Sequence, residues 1–300
     1  MSSDIGTSTL TSPLPGGSEG AVVTVRPLLT AEMAAPPGYL FRPTSLSGRL
    51  RVFRQALSGR DNIWLPVPVF LVEHPTAGRL LIDTGLSPAT AIDPRAALGW
   101  IGARMFRIRM RPEQAVTAQL RELGIRPAEI ETVIITHLHL DHAGSVGEFP
   151  QAVFVVTSAE WESAFARNRV TRGYVKRQYD HAFDYRLVDY NHQSINSFAS
   201  FGRSFDLLAD GSVTLVSTPG HTAGHQSVIL RTRDGELLVC GDAAYTRRTI
   251  DTVTPPMITH DDHNFRRSVR EIRAYLDMTP GATAVPGHDP DAWAKLDEVY

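Results

Sequence analysis

Residues 136–142 read Thr-His-Leu-His-Leu-Asp-His, directly after the apolar run Thr132-Val133-Ile134-Ile135. Side chains alternate along an extended segment, so His137 and His139 are expected to project to one side as a strand ends. The chain must then turn, which brings Asp141 and His142 round from another direction. Zinc commonly takes four ligands and, in catalytic sites, leaves one position for water. Four ligand-type side chains packed this closely can therefore serve two ions but crowd a single one.

The same punctuation recurs later in the chain. VTLVSTPGH (213–221), ELLVCGD (236–242) and ATAVPGH (282–288) each end an apolar strand on one possible ligand: His221, Asp242 and His288. Gly220, Gly241 and Gly287 stand just before those ligands, where a chain needs tight turns and a close backbone approach. A single histidine at a strand end is usually only a hydrogen-bonded polar group. The alternation at 137–142, together with three later repeats of strand, glycine and ligand, is hard to account for without a metal. His137, His139 and His221 can hold one ion, and Asp141, His142 and His288 a second, with Asp242 between them. Asp83 in RLLIDTG (79–85) completes neither set and is read as the carboxylate that orients a ligating imidazole. His225, His260 and His263 are expected at the surface or behind the ligands, and His74, His181 and His192 have no supporting context.

Working outward, VPVFLVEH (67–74), AVFVVTS (152–158) and QSVILRT (226–232) add further β-rich runs bounded by turn residues. PEQAVTAQLRELG (112–124) and FRRSVREIRAYLDM (265–278) carry apolar residues at helical spacing, and a glycine closes the first as a C-cap would. Strands in two groups with helices interleaved predict an α/β chain of two packed sheets with helices outside. Residues 1–20 are rich in Ser, Thr, Gly and Pro and are read as a flexible tail, leaving 21–300 as one domain. The aromatic and Arg-rich stretch 160–206 is expected to form one or two helices packed on the core, with a lid or subunit contact as the alternative.

Composition bounds the function. The formal net charge of -2 gives no global reason to bind nucleic acid or an anionic membrane. No apolar run approaches a membrane span of about 20 residues. The N-terminus lacks the basic start and apolar stretch of a secretory signal, so cytoplasmic residence is the default expectation. The single Cys240 excludes both an internal disulfide framework and a zinc site built on several thiolates.

THLHLDH, with the later His221, Asp242 and His288, resembles the HxHxDH signature of the metallo-β-lactamase superfamily over roughly residues 65–290. That resemblance implies an αββα sandwich with a dinuclear zinc site at one edge of the sheets, other divalent metals being possible. Within the superfamily the chain looks most like the N-acyl homoserine lactone lactonases, the quorum-quenching enzymes. LPVPVFLVEHPTAGRLLIDTGL is similar to their opening strands. GDAAYT places Tyr245 where they carry a substrate-facing tyrosine, and the short stretch after His288 leaves no room for the C-terminal domain of glyoxalase II or for a flavodoxin domain. The β-lactamases of the commonest zinc class put a Cys near the second metal, whereas Cys240 here lies two residues before Asp242. The di-iron oxygen-reducing branch has Glu where this chain has His139.

The resemblance further implies a mechanism in which a metal-bridging hydroxide attacks the lactone carbonyl. Tyr245 would hydrogen-bond the developing oxyanion and Asp141 would pass a proton to the leaving alkoxide. Leu140, Trp64, Met33 and Phe70 are candidate substrate-binding residues, the last three because they lie near family positions lining the acyl pocket. The partner expected is a small lactone or ester, with a possible homodimer. Alternatives are a hydrolase of organophosphate, aryl or sulfate esters, an iron-dependent persulfide dioxygenase with one metal, or a non-catalytic metal-binding module.

Overall fold

The computed structural model describes residues 6–58, 62–95 and 107–300. Two sheets face each other. The first is eight-stranded, in the order β1 (Thr7–Thr9), β8 (Asp184–Val188), β7 (Val153–Thr157), β6 (Ile130–Ile134), β4 (Gly78–Ile82), β3 (Ile63–His74), β2 (Thr24–Ala35) and β5 (Arg107–Arg109). The second is six-stranded: β14 (Thr283–Pro286), β13 (Gly235–Gly241), β12 (Gln226–Thr232), β11 (Val213–Ser217), β10 (Phe201–Asp206) and β9 (Asn196–Phe198).

Layering follows from strands that are apolar on both faces. On β3, Phe70 and Val72 enter the core between the sheets, while Val69 and Leu71 face outward. On β12 and β13, Val228, Leu230, Leu237 and Val239 point inward; Ile229, Leu238 and Cys240 point out. Period-2 alternation thus gives each sheet two apolar faces, and the outer ones must be covered by helices. Helices Val116–Glu122 and Ser158–Phe165 cover the first sheet through Val116, Leu120 and Ala164. Helix Asp262–Met278 covers the second through Ile272 and Tyr275. Its start is fixed by Asp261, whose carboxylate accepts from the Asn264 N–H at 2.8 Å. The result is the expected αββα sandwich. Among the described residues no helix is long and apolar enough to cross a membrane.

Two expectations need correction. Residues 6–20 do not form a flexible tail. β1 pairs in parallel with β8, Leu10 is buried in the inter-sheet core, and the Leu14 N–H bonds the Leu207 carbonyl at 2.7 Å. His74 and Asp210 pair at 3.0 Å, and Asp210 also accepts from the Ser18 N–H at 2.8 Å. Residues 1–5 lie outside the described residues.

The stretch 160–206 is not helical throughout either. After Ser158–Phe165 it passes through two short 3₁₀ turns and then supplies β8, β9 and β10. Its aromatics do pack on the core: Trp161 contacts Phe165 and Tyr185 at centroid distances of 4.6 and 4.5 Å. The hydroxyls of Tyr179 and Tyr185 bond the carbonyls of Ala164 and Tyr179. Sheet pairing outweighs the local helical spacing.

Because Leu10 anchors the first strand, Leu10→Ala should cost about 2–3 kcal/mol of unfolding free energy, read from urea denaturation. An unchanged midpoint would mean that this segment carries no stability.

Candidate metal centre

β6, β11, β13 and β14 all deliver their C-terminal ends to the same edge of the sandwich, and the candidate ligands follow those ends. β6 stops at Ile134, earlier than the sequence suggests, so residues 135–142 are a buried loop. Such a loop needs partners for its N–H groups. Asp83 Oδ1 accepts from Thr136 N at 2.8 Å, and Glu160 Oε1 accepts from Leu138 N at 2.9 Å. Glu160 Oε2 also accepts from Gly224 N at 3.2 Å, which ties the first ligand loop to the one carrying His221. Gly220 has φ +135° there, and a Cβ would lie 2.1 Å from Phe265 N. Only glycine lets the chain turn against the start of helix Asp262–Met278.

Each imidazole engages the protein through one nitrogen and turns the other inward. His142 Nδ1 meets Asp83 Oδ2 at 2.7 Å, and His288 Nδ1 meets the Pro66 carbonyl at 2.8 Å. His139 Nε2 meets the Arg172 carbonyl at 2.8 Å, His137 Nδ1 the Thr136 hydroxyl at 3.1 Å, and His221 Nδ1 the Tyr245 hydroxyl at 3.3 Å. The remaining nitrogens converge, with His139 Nδ1 and His221 Nε2 only 3.0 Å apart.

Asp242 stands between two groups. Its Oδ2 lies 3.1 Å from His221 Nε2 and 3.7 Å from His137 Nε2. Its Oδ1 lies 3.0 Å from His288 Nε2 and 3.4 Å from His142 Nε2. Asp141 Oδ2 sits 3.6 Å from His288 Nε2. The sets His137/His139/His221, His137/His142/Asp242 and Asp141/His142/His288 each keep their ligand atoms within 4.8 Å of one another.

The donor set fits a divalent cation. His137 Nε2, His142 Nε2 and Asp242 Oδ1 are buried and make no hydrogen bond, a costly arrangement unless a cation meets them. Burial, aided by neighbouring imidazoles, holds His137 well below the usual histidine range, and burial does the same to His221, so both offer lone pairs. Burial opposes charge on His142 as well, but Asp83, Asp141 and Asp242 outweigh it and raise its pKa. At Asp242, burial is overcome by His288, His221 and His142, which keep the carboxylate ionised. An imidazole bonded by a carboxylate or carbonyl on its far nitrogen is oriented to ligate.

Behind the ligands, His225 Nε2 accepts from Asp242 N at 2.9 Å, and its Nδ1 meets Thr218 Oγ1 at 2.9 Å. Burial pushes its pKa down to about 3, so it stays neutral in that role. Cys240 is buried in the outer cluster with Ile272 and Tyr275, on the opposite face of β13 from the inter-sheet core. Asp83 has φ +61°, an unfavourable value for a non-glycine residue, at the point where it serves both Thr136 and His142.

A cavity of about 590 Å³ opens over the ligands, with Met33, Ala35, Leu65, Leu140, Val170 and Ile258 as its apolar walls. Residues 62–288 match the model of the metallo-beta-lactamase superfamily. The chain belongs to that superfamily. The N-acyl homoserine lactonase AttM of Azorhizobium caulinodans is 34% identical over 260 residues, covering 86% of this chain and 95% of the relative. AttM of Agrobacterium fabrum is 36% identical over 267 residues, covering 87% and 97%. A solved N-acyl homoserine lactone hydrolase, with N-hexanoyl-L-homoserine bound at its metal centre, superposes with a TM-score of 0.74 at 21% identity. It covers 92% of this chain and 97% of that one. At that identity the likeness establishes the metallo-beta-lactamase fold.

The four candidate substrate-binding residues divide. Met33 and Leu140 line the cavity. Phe70 does not: it is buried between the sheets with Val72 and Ile82. Trp64 is also absent from the cavity wall, its ring covered by the Arg109 guanidinium at 3.6 Å. Both were expected there from the resemblance to family positions, and the pleat of β3 turns them elsewhere. His260 lines the cavity, while His263 is exposed. Sequence reasoning missed Glu160 and Tyr39, neither of which lies near a ligand in the sequence.

Because Asp83 holds the His142 ring and pins the loop of candidate ligands, Asp83→Ala should weaken the site's affinity for a divalent cation, probed with zinc, by about 10- to 100-fold. Competition against a chromophoric chelator measures this, and wild-type affinity would refute it.

Proposed function

We propose that this chain is a dinuclear zinc hydrolase that opens the lactone ring of N-acyl homoserine lactones. The observation that carries the reading is Asp242, which turns one carboxylate oxygen to each of two ligand groups at the floor of an apolar cavity. Near-full-length similarity to proteins named N-acyl homoserine lactonase supports the substrate class.

His137, His139 and His221 would hold one ion and Asp141, His142 and His288 the other, with Asp242 shared. Two ions bound there supply Lewis acidity and ionised water near neutral pH. The protein's own groups do the rest. Ala35, Leu65 and Leu140 favour an acyl substituent and exclude water from the floor. Burial, reinforced by the Asp242 charge, raises the Tyr245 pKa well above the usual tyrosine value, so its hydroxyl is a neutral donor throughout the physiological range. It is positioned to donate to the lactone carbonyl oxygen as negative charge develops there. Hydrolysis adds one water across the acyl C–O bond, and the ring oxygen leaves as an alkoxide that needs a proton. Asp141 lines the cavity beside His288 and would carry that proton.

Purified protein should therefore hydrolyse acyl homoserine lactones much faster than phosphotriesters or aryl esters, and the reverse ranking would select the other ester hydrolases. Asp242→Ala should lose bound zinc and nearly all activity, whereas Tyr245→Phe should keep its zinc and slow by roughly 100-fold. An Asp242→Ala protein with two tightly held ions and full rate would contradict the assignment.

A further inference from the structure

Helix Leu46–Ser58 has apolar residues on two sides, and only one side meets the protein. Val52 is buried against the short helix Pro37–Leu40, where a Cβ on Gly38 would lie 2.2 Å from Val52 Cγ2. Leu46, Leu50 and Phe53 lie on the other side and are 74, 54 and 52% exposed. Their i, i+4, i+7 spacing places them within about 60° of arc, a continuous stripe turned to solvent. A surface helix ordinarily turns such a stripe to the core. Single exposed apolar residues need no explanation, but three in register on one helix mark a contact surface.

Charge decides what the stripe can meet. From residue 33 to residue 58 the chain carries Arg42, Arg49, Arg51 and Arg54 and no Lys, Asp or Glu. Arg49, Arg51 and Arg54 are exposed, and among the described residues no carboxylate pairs with them. Arg49 and Arg54 flank the stripe, about 70° to either side of its centre. Their aliphatic stems can lie along its edges while the guanidinium groups reach outward. The formal net charge of -2 conceals this local excess, because it counts acidic groups elsewhere in the chain. A second copy of the chain fits poorly. Symmetric pairing of the stripe with itself would bring the arginines of both copies together without a carboxylate between them. An apolar stripe edged by arginines instead matches the boundary between acyl chains and phosphates in an anionic bilayer.

We propose that helix Leu46–Ser58 is a peripheral docking site for anionic phospholipid membranes, with Leu46, Leu50 and Phe53 among the acyl chains and Arg49 and Arg54 on headgroup phosphates. The docked helix lies beside the cavity. The helix Pro37–Leu40 on which it packs gives Tyr39 to the cavity wall. Arg42, in the linker between the two helices, donates to the Pro256 carbonyl at 2.9 Å and pairs with Asp262 at 2.7 Å. This ties the 256–262 segment to the same corner, and with it Ile258, which is exposed and lines the cavity. Docking therefore sets the cavity near the bilayer, where acylated substrates partition. That advantage rests on the lactone reading above, whereas the docking does not.

The test is flotation of purified full-length protein with vesicles of phosphatidylcholine alone, or with about 30% phosphatidylglycerol, in about 0.1 M and about 1 M salt. Binding to the anionic vesicles should be at least about ten-fold stronger than to the neutral ones, and the higher salt should weaken it. Leu50→Ser/Phe53→Ser and Arg49→Gln/Arg54→Gln should each reduce that binding by about ten-fold or more. Melting temperature should stay at the wild-type value in both, since all four side chains are exposed. Binding is scored without substrate, so the outcome is independent of which ester the enzyme cleaves. No binding to anionic vesicles would overturn the proposal, as would equal binding to neutral ones or binding that survives both double substitutions. So would a wild-type dimer in sedimentation velocity that Leu50→Ser/Phe53→Ser converts to monomer, because the stripe would then face a second copy.

Discussion

Five imidazoles and two carboxylates are held at van der Waals separations in a buried edge of this protein, and their mutual electrostatics dominate its design. Each histidine is held at one nitrogen by a carboxylate, a carbonyl or a hydroxyl, and the opposite nitrogens face inward. Burial strips His137 and His221 of charge, while the aspartates draw His142 and His288 toward it. A cluster left with orphaned acceptors and opposed protonation preferences is unfavourable on its own, and divalent cations resolve both problems at once. Much of the surrounding architecture serves to hold that arrangement.

The αββα sandwich supplies the rigidity. Strands apolar on both faces lock the sheets to each other and to the outer helices, so the strand ends that carry ligands have fixed separations. What the strands do not fix, carboxylates do. Asp83 secures the 135–142 loop and the His142 ring together, and Glu160 clamps the Leu138 and Gly224 amides. Asp83 is one of four non-glycine residues with left-handed φ among the described residues, and it lies directly behind the candidate ligand His142. His225 plays a parallel part beneath Asp242, where its neutral ring accepts the Asp242 amide.

Legibility in the sequence tracked how local each determinant is. The convergence of the candidate ligands was readable because each follows an apolar strand and a turn, a pattern written in consecutive residues. The layered fold was readable for the same reason, since the strands of the inner core announce themselves by composition. β1 was not, because Thr7–Thr9 becomes a strand only through pairing with β8, far along the chain. The aromatics of 160–206 suggested helices since their spacing is helical in places, but sheet partners determined β8 to β10. Phe70 and Trp64 show how one position in register decides between core, surface and cavity. Tyr39 left no trace at all: its relation to Tyr245 exists only across the folded cavity.

The most direct test of the proposed dinuclear centre is an anomalous difference map, collected above the zinc edge, from crystals of zinc-loaded protein. Two peaks are expected, about 3.5 Å apart, one among His137, His139 and His221 and one among Asp141, His142 and His288, both in contact with Asp242. A single peak, or none at these side chains, would contradict the account.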